Sequence, residues 1–171
     1  IDGLMNFINE REYKLTAALV THYHPDHCGG SLGTNSVTGV AELLETNPVK
    51  IYTHKFEARG LKKVTGISDN DMKKVESGDK LKIGDIEVEF LHTPGHTPGS
   101  QCFKVKHTLI SGDTLFVDGC GRVDLPGRRA HFQIGKEGWT TEETVIVPTA
   151  PIASVNVHVL FRHRYTGTVW F

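Results

Sequence analysis

The chain has 171 residues, of which 38% are hydrophobic and 23% are charged, and its formal net charge at pH 7 is −1. These values indicate one globular domain over residues 1–171 rather than a disordered chain, and they predict no basic surface for nucleic acid. No apolar run approaches the ~18 residues of a transmembrane helix, so we expect no membrane association. The chain has three cysteines, Cys28, Cys102 and Cys120, which are far apart in the sequence. Their odd number and spacing argue against a disulfide framework and predict a reducing, cytoplasmic location.

The N-terminal third of the chain predicts helices and strands in alternation. Apolar residues at helical spacing predict a helix within residues 3–13, and the apolar run 15–20 predicts a buried strand. Residues 40–44 are typical of a helix that ends before the next proline, and residues 49–53 of a short strand. The order of these elements indicates a protein built from both helices and sheets.

The central part of the chain predicts mainly strands. Residues 69–75 suggest a polar helical turn, after which residues 80–83 and 86–91 flank a Gly-Asp turn and predict a hairpin. Residues 101–105 and 108–110 predict two more buried strands. Polar motifs follow the carboxyl ends of several strands, where sheet-based enzymes often place their chemistry.

The first motif, Thr-His-Tyr-His-Pro-Asp-His-Cys-Gly-Gly at residues 21–30, brings four potential metal ligands into six positions. His22 and His24 share one face of an extended segment, whereas Asp26 and His27 follow a proline that turns the chain. This spacing suits two adjacent metal ions better than one. The alternative interpretation is a solvated, histidine-rich loop.

The second motif is the Pro- and Gly-rich loop Leu-His-Thr-Pro-Gly-His-Thr-Pro-Gly-Ser at residues 91–100. A rigid loop holds an imidazole in one orientation, as a metal ligand requires. We favour His96 as the ligand because it lies between the two Pro-Gly pairs. His92 ends a strand and is expected to hold the loop by a hydrogen bond. A purely structural histidine is the alternative for each residue taken alone.

The third motif, Ser-Gly-Asp-Thr-Leu-Phe at residues 111–116, places an aspartate after an apolar strand. The two oxygens of Asp113 can bridge two metal ions about 3.5 to 4 Å apart. An aspartate that caps a turn is the alternative. Downstream, Arg122 is a candidate for binding an anionic group of a substrate, although an exposed arginine without such a role fits the sequence equally well.

These three motifs together resemble the metallo-β-lactamase fold superfamily, whose pattern is His-x-His-x-Asp-His, a distant His, a bridging Asp and a final His. The segments 92–100 and 112–122 look most like the hydroxyacylglutathione hydrolase (glyoxalase II) group and its single-domain relatives. The resemblance covers residues 15–127, whereas residues 128–171 lack the amphipathic helix of the family and are atypical. It implies an α+β fold, an αββα sandwich of two mixed β-sheets flanked by helices, with an N-terminally incomplete first sheet.

The resemblance also implies a ligand set for each of two metal ions. One set is His22, His24 and His96, the other is Asp26, His27 and a final histidine, and Asp113 bridges them. His163 is the preferred final histidine over His158 and His131, although the glycine that precedes it in the family is missing here. Two zinc ions fit this His-rich set best, and iron or manganese can use the same ligands.

The implied activity is that of a metallo-hydrolase, in which a hydroxide held by two metal ions attacks a thioester or related acyl compound. Asp26 is expected both to bind metal and to orient this nucleophile. Val123 and Asp124 replace an aromatic pair of the hydroxyacylglutathione hydrolases, which argues against glutathione specificity. Two alternatives stay open, a mononuclear iron enzyme similar to the persulfide dioxygenases and an inactive, metal-binding remnant of the fold. The expected partner is a small-molecule substrate, and the oligomeric state cannot be derived from these features.

Overall fold

The computed structural model describes residues 1–116 and 120–122. Helices within them are α1 (Asp2–Glu10), α2 (Pro25–Cys28), α3 (Val40–Thr46) and α4 (Ala58–Thr65), with a 3₁₀-helix at Gly112–Thr114. The strands are β1 (Ala17–Leu19), β2 (Gly30–Leu32), β3 (Asn35–Val37), β4 (Lys50–His54), β5 (Met72–Val75), β6 (Lys80–Ile83), β7 (Ile86–His92), β8 (Gln101–Val105) and β9 (Thr108–Ile110). In this part of the chain, no helix combines the length and the apolar character needed to cross a lipid bilayer.

The strands pair into two main sheets and a small hairpin. β1, β4 and β5 form a parallel sheet in that order, since helices lie between them in the chain and provide the crossovers. β6 to β9 form an antiparallel meander joined by short turns, and β2 pairs with β3. The parallel sheet therefore carries long connections, and the first histidine motif lies in the connection that follows β1.

Apolar side chains form one layer on each face of the parallel sheet. Because successive strand residues point to opposite faces, Ile51 of β4 packs toward the helices and Tyr52 packs toward the antiparallel sheet. The helix-side layer contains Val20, Cys28, Val40, Ile51, Ala58, Leu61, Ile67 and Met72. The layer between the sheets contains Val75, Val88, Phe90 and Phe103, with Leu19, Tyr52, Leu81 and Val105 packed against it. Helices, parallel sheet and antiparallel sheet thus stack in the layer order expected for the sandwich.

The prediction of a helical turn at residues 69–75 is wrong, because residues 72–75 form strand β5. Register pairing places Met72 beside Ile51 and Val75 beside His54 of β4. Met72 and Val75 are buried, whereas the two lysines between them are exposed. The polar residues of this segment suggested a solvated turn, but its backbone pairs with the edge of β4 and so joins the sheet. The turn lies just before the strand, where the carboxylate of Asp71 accepts the N–H of Ser68 at 2.7 Å.

Other elements also differ from the sequence-based expectation, among them β2 and β3, which were not predicted. Helix α4 was not predicted, since Gly60 within it lowers helix propensity. A Cβ at Gly60 would lie 2.5 Å from the ring of Tyr23, so close packing against the first motif requires this glycine. Strand β9 was expected to be buried, yet Leu109 and Ile110 are 45% and 51% exposed. The expectations for residues 123–171, including His131, His158 and His163, lie outside the described residues.

Two histidines, His54 and His92, lie next to each other at the ends of β4 and β7. The ring of His54 stacks on the ring of His92 with centroids 3.9 Å apart, and His54 is 2% exposed. Its Nδ1 accepts the N–H of Phe56 at 3.3 Å. Burial, His92 and Lys55 lower the pKa of His54 from 6.5 to about 4. His54 is therefore neutral in the folded protein at neutral pH.

This low pKa predicts a loss of stability in mild acid. Between pH 6.5 and about 4, His54 is protonated in the unfolded chain but stays neutral in the folded protein. The free energy of unfolding therefore falls as the pH is lowered through this range. Replacing His54→Asn keeps an acceptor for the Phe56 N–H and should make the fall shallower, as measured by urea unfolding of the metal-free protein at several pH values. The control His107→Asn changes an exposed histidine and should leave the slope unaltered. An unchanged slope in His54→Asn would contradict the assignment.

Candidate metal centre

The first motif leaves the sheet at the end of β1 and turns sharply at Pro25. His24 is still extended, with ψ at 143°, and Pro25 then begins the one-turn helix α2. Gly29 ends α2 with a φ of +87°, and a Cβ there would lie 2.5 Å from the Cα of Gly39. A strand end, one helical turn and a tightly packed glycine therefore direct the side chains before and after Pro25 into the same space.

Three imidazole nitrogens converge in that space. The Nδ1 of His24 lies 3.0 Å from the Nε2 of His22 and 2.9 Å from the Nε2 of His96. His22 and His96 are 1% and 6% exposed. Nitrogen ligands at ~2.05 Å from a tetrahedral metal ion are about 3.3 Å from each other, close to this arrangement. His96 reaches the group from the second motif, more than seventy positions along the chain.

Contacts on the outer side of two rings orient their inner nitrogens. The Nδ1–H of His96 donates to the backbone carbonyl of Arg122 at 2.8 Å, because a carbonyl oxygen can only accept. In the neutral ring, the Nε2 lone pair then faces His24. The Nδ1 of His22 similarly lies 3.1 Å from the hydroxyl of Thr21. Such outer contacts are those that hold metal-binding imidazoles in proteins, so the donor set fits a metal ion.

The carboxylate of Asp113 lies between two groups of side chains. Its Oδ2 is 3.2 Å from the Nε2 of His96, and its Oδ1 is 3.1 Å from the Nε2 of His27. The Oδ2 of Asp26 lies 3.6 Å from the same Nε2 of His27. The side chain of Asp26 is 60% exposed and that of Asp113 only 21%, so Asp26 lies at the open side. Asp113, with one oxygen near His96 and the other near His27, has the placement that a bridging carboxylate needs.

The structure thus brings together six of the seven ligands predicted from the sequence. Donor atoms of His22, His24, His96 and Asp113 all lie within 4.8 Å of one another, a group that can hold a metal ion. His27 adjoins this group through Asp113, and Asp26 lies beside His27. The seventh, His163, is not among the described residues.

His92 and Arg122 have different positions from the ligand group. The Nε2–H of His92 donates to the carbonyl of Pro98 at 3.1 Å, across the Pro- and Gly-rich loop, which is the loop-holding role expected from the sequence. Arg122 contributes its backbone carbonyl to the orientation of His96, a contact that the sequence did not indicate. Its role in substrate binding stays a prediction.

Two buried groups beside the site were not identified from the sequence as part of it. Glu57 is 0% exposed, immediately precedes α4, and receives hydrogen bonds from both histidine-bearing loops. Cys28 directly follows His27, and burial, Asp26 and Glu57 raise the pKa of its thiol to about 12. The Sγ of Cys28 lies 3.2 Å from the backbone carbonyl of His24, to which the thiol donates. Glu57 had no signal in the sequence, because it lies in a segment without a motif.

The sequence model of the metallo-β-lactamase superfamily matches residues 5–149. The chain belongs to the metallo-β-lactamase superfamily. A probable hydroxyacylglutathione hydrolase of Schizosaccharomyces pombe is 32% identical over 164 residues, which are 91% of this chain and 56% of that protein. Other curated relatives named hydroxyacylglutathione hydrolase are 29% to 37% identical. The chain spans about half the length of these relatives, or less.

Solved structures of the superfamily confirm the fold. ETHE1 from Myxococcus xanthus is similar with a TM-score of 0.56 and 27% identity, over 72% of this chain and 47% of that one. TTHA1623 in a di-iron-bound form is similar with a TM-score of 0.57 and 27% identity, over 74% of this chain and 64% of that one. The α+β sandwich predicted from the motifs is therefore confirmed.

The close approach of residue 121 to the site gives a test of the site geometry. A Cβ at Gly121 would lie 2.8 Å from the Nδ1 of His96 and 2.1 Å from the carbonyl oxygen of Asp113. We expect Gly121→Ala to displace the carbonyl that orients His96 and to lower zinc affinity by about 10-fold or more. The measurement is competition with a chromophoric chelator.

The matched control for this substitution is Gly3→Ala. Gly3 lies in α1, and a Cβ there meets no atom within 4 Å. This variant should bind zinc as the unsubstituted protein does. Equal zinc affinity in Gly121→Ala would show that the segment 120–122 does not hold His96 in place.

Proposed function

We propose that the protein is a hydrolase with two metal ions that acts on a thioester or a related small acyl compound. The observation that carries this proposal is the carboxylate of Asp113, one oxygen of which faces His96 while the other faces His27. A single metal ion requires only one of these oxygens. The curated relatives named hydroxyacylglutathione hydrolase support a hydrolytic reaction and an acyl substrate.

The proposed ligand sets follow the grouping of the side chains. His22, His24 and His96 would hold the first ion, Asp26, His27 and His163 would hold the second, and Asp113 would serve both. When bound, the ions supply Lewis acidity, which lowers the pKa of water and polarises a carbonyl group. Zinc is the proposed metal, because imidazole and carboxylate ligands suit it, and iron is the alternative, since TTHA1623 has a di-iron-bound form.

The side chains of the protein then have distinct tasks. Asp26 lies at the open side with a 60% exposed carboxylate, so it can accept a hydrogen bond from an attacking water and orient it. The buried rings of His22 and His96 keep bulk solvent from the inner side. A thiolate leaving group needs no strong general acid, which fits a site whose remaining groups bind metal. Arg122 is proposed to bind an anionic part of the substrate.

A mononuclear iron enzyme similar to the persulfide dioxygenases is the second candidate. The similarity to ETHE1 from Myxococcus xanthus supports it, as does the compact group of three histidines and Asp113. It requires one ion only, and His27 and Asp26 would then have no ligand role. The number of metal ions per chain therefore separates the two candidates.

Two further features of the proposal concern the setting of the enzyme. We place it in the cytoplasm, because Cys28, Cys102 and Cys120 are all free thiols, as in a reducing compartment. Its partner is a small-molecule substrate, and neither nucleic acid nor a membrane is part of the proposed activity.

Metal content and thioester hydrolysis, measured on the same purified sample, test the proposal. We expect two equivalents of metal per chain and hydrolysis of an acyl thioester. His27→Ala should lower the content to about one equivalent, and Asp113→Ala should reduce turnover by about 100-fold or more, because it removes a ligand from both ions. The control His107→Ala changes an exposed histidine and should keep both values.

Other outcomes would redirect the interpretation. One equivalent of iron without thioester hydrolysis would favour the mononuclear candidate, and the absence of both metal and turnover would contradict both candidates. The final ligand is tested in the same way, since His163→Ala should lose one equivalent of metal whereas His158→Ala and His131→Ala should not.

A further inference from the structure

We propose that Glu57 is a positioning residue that sets the spacing of the metal ligands by tying together the two loops that carry them. This inference rests on the metal centre of the proposed function and concerns how the apoprotein preorganises that centre. Glu57 lies outside the three motifs, is fully buried, and precedes helix α4 on the helix side of the parallel sheet.

The two carboxylate oxygens of Glu57 serve different loops. Its Oε2 accepts the backbone N–H of Tyr23 at 2.8 Å, and Tyr23 lies between the ligands His22 and His24. Its Oε1 accepts the hydroxyl of Thr97 at 2.8 Å and the backbone N–H of Gly99 at 2.7 Å. Thr97 directly follows the ligand His96. One rigid carboxylate therefore holds the amide beside two ligands and the loop beside the third.

The hydrogen-bond directions in this network require a carboxylate. An ionised carboxylate only accepts, so the Thr97 hydroxyl must donate to it, and the hydroxyl of Ser100, 2.7 Å away, then donates to Thr97. The Oγ of Ser100 in turn accepts the backbone N–H of Thr97 at 2.9 Å. In a glutamine at position 57, an NH₂ group would replace one of the two oxygens. It would then face either the N–H of Tyr23 or the donors of Thr97 and Gly99. Charge-assisted bonds of this kind are short and strong.

The surrounding backbone is shaped to fit Glu57. A Cβ at Gly99 would lie 2.8 Å from the Cγ of Glu57 and 2.9 Å from its Oε1, so only glycine lets the loop approach this closely. Gly60, one turn into α4, leaves room for the ring of Tyr23 in the same way. Both loops are therefore packed against the first turn of α4, and their separation is set by the width of one carboxylate.

This arrangement explains how ligands from distant parts of the chain keep their spacing. His24 and His96 are on separate loops, yet their facing nitrogens are 2.9 Å apart. The carboxylate charge also lies near the N-terminus of α4, where the helix dipole favours an anion. A buried group that only stabilised the fold would have no reason to contact both loops beside the ligands.

Metal affinity measured separately from stability tests the inference. The full chain carrying Glu57→Gln, which preserves shape but removes the charge, is stripped of metal and titrated with zinc against a chromophoric chelator. We expect a zinc dissociation constant about 10- to 100-fold higher than in the unsubstituted protein. Cobalt loaded in place of zinc should show altered d–d absorption bands, because the ligand geometry changes.

Three controls separate positioning from general destabilisation. Glu76→Gln removes an exposed carboxylate paired with Lys55 at 2.8 Å and should leave zinc affinity unchanged. Val88→Ala lowers stability from the layer between the sheets and should lower the unfolding midpoint without an equal loss of zinc affinity. At the loop itself, Thr97→Val should weaken zinc binding, whereas Thr97→Ser keeps the hydroxyl and should restore it.

Each outcome is decisive for one claim. If Glu57→Gln is folded and binds zinc with unchanged affinity and unchanged cobalt spectrum, the inference is wrong although the metal centre stands. An equal loss of affinity in Val88→Ala would also overturn it, since stability alone would then account for the effect. If Glu57→Gln does not fold, the Thr97→Val and Thr97→Ser pair decides. Failure of the unsubstituted protein to bind zinc or iron would instead refute the proposed function.

Discussion

The close approach of three imidazoles and a carboxylate, two of the four groups fully buried, is the constraint on which the rest of this structure depends. Polar atoms of His22, His24, His96 and Asp113 face each other at hydrogen-bond distance or slightly beyond, and enclosing such atoms costs free energy unless protons or a metal ion satisfy their lone pairs. The protein holds two of these rings in place from their outer side. The Arg122 carbonyl orients His96, and the Thr21 hydroxyl contacts His22.

The sandwich explains how these groups reach one place. The first histidine motif follows β1 of the parallel sheet, and the antiparallel sheet brings the loop after β7 and the turn after β9 to the same place. Apolar packing of Val75, Phe90 and Phe103 between the sheets fixes the distance between those edges. The ligand positions are thus a consequence of the core, because moving one sheet would separate His96 from His24.

A buried polar network completes this arrangement on the helix side. Glu57 connects the backbone beside His22 and His24 with the loop beside His96, through bonds from Tyr23 and Gly99. The network lies at the first turn of α4, a helix that joins the core through Leu61. Because the loops are already held in place, binding of a metal ion costs less conformational entropy in ordering its ligands. Helix α4 therefore contributes to the site although none of its side chains has been assigned as a ligand.

The amino-acid sequence by itself determined the candidate metal-binding side chains in the described region and the class of fold. The candidate ligands stand out because ligand chemistry depends on residue type and local motifs, and they are His22, His24, Asp26, His27, His96 and Asp113. Short apolar segments and the Gly-Asp turn indicated six of the nine strands in the described residues. Tertiary structure alone decided the rest. Residues 72–75 form a strand because they pair with the edge of β4. Gly60 is tolerated within α4 because a side chain there would collide with the ring of Tyr23. The role of Glu57 was invisible for the same reason, since a single carboxylate acquires its meaning only from the two distant loops that fold against it.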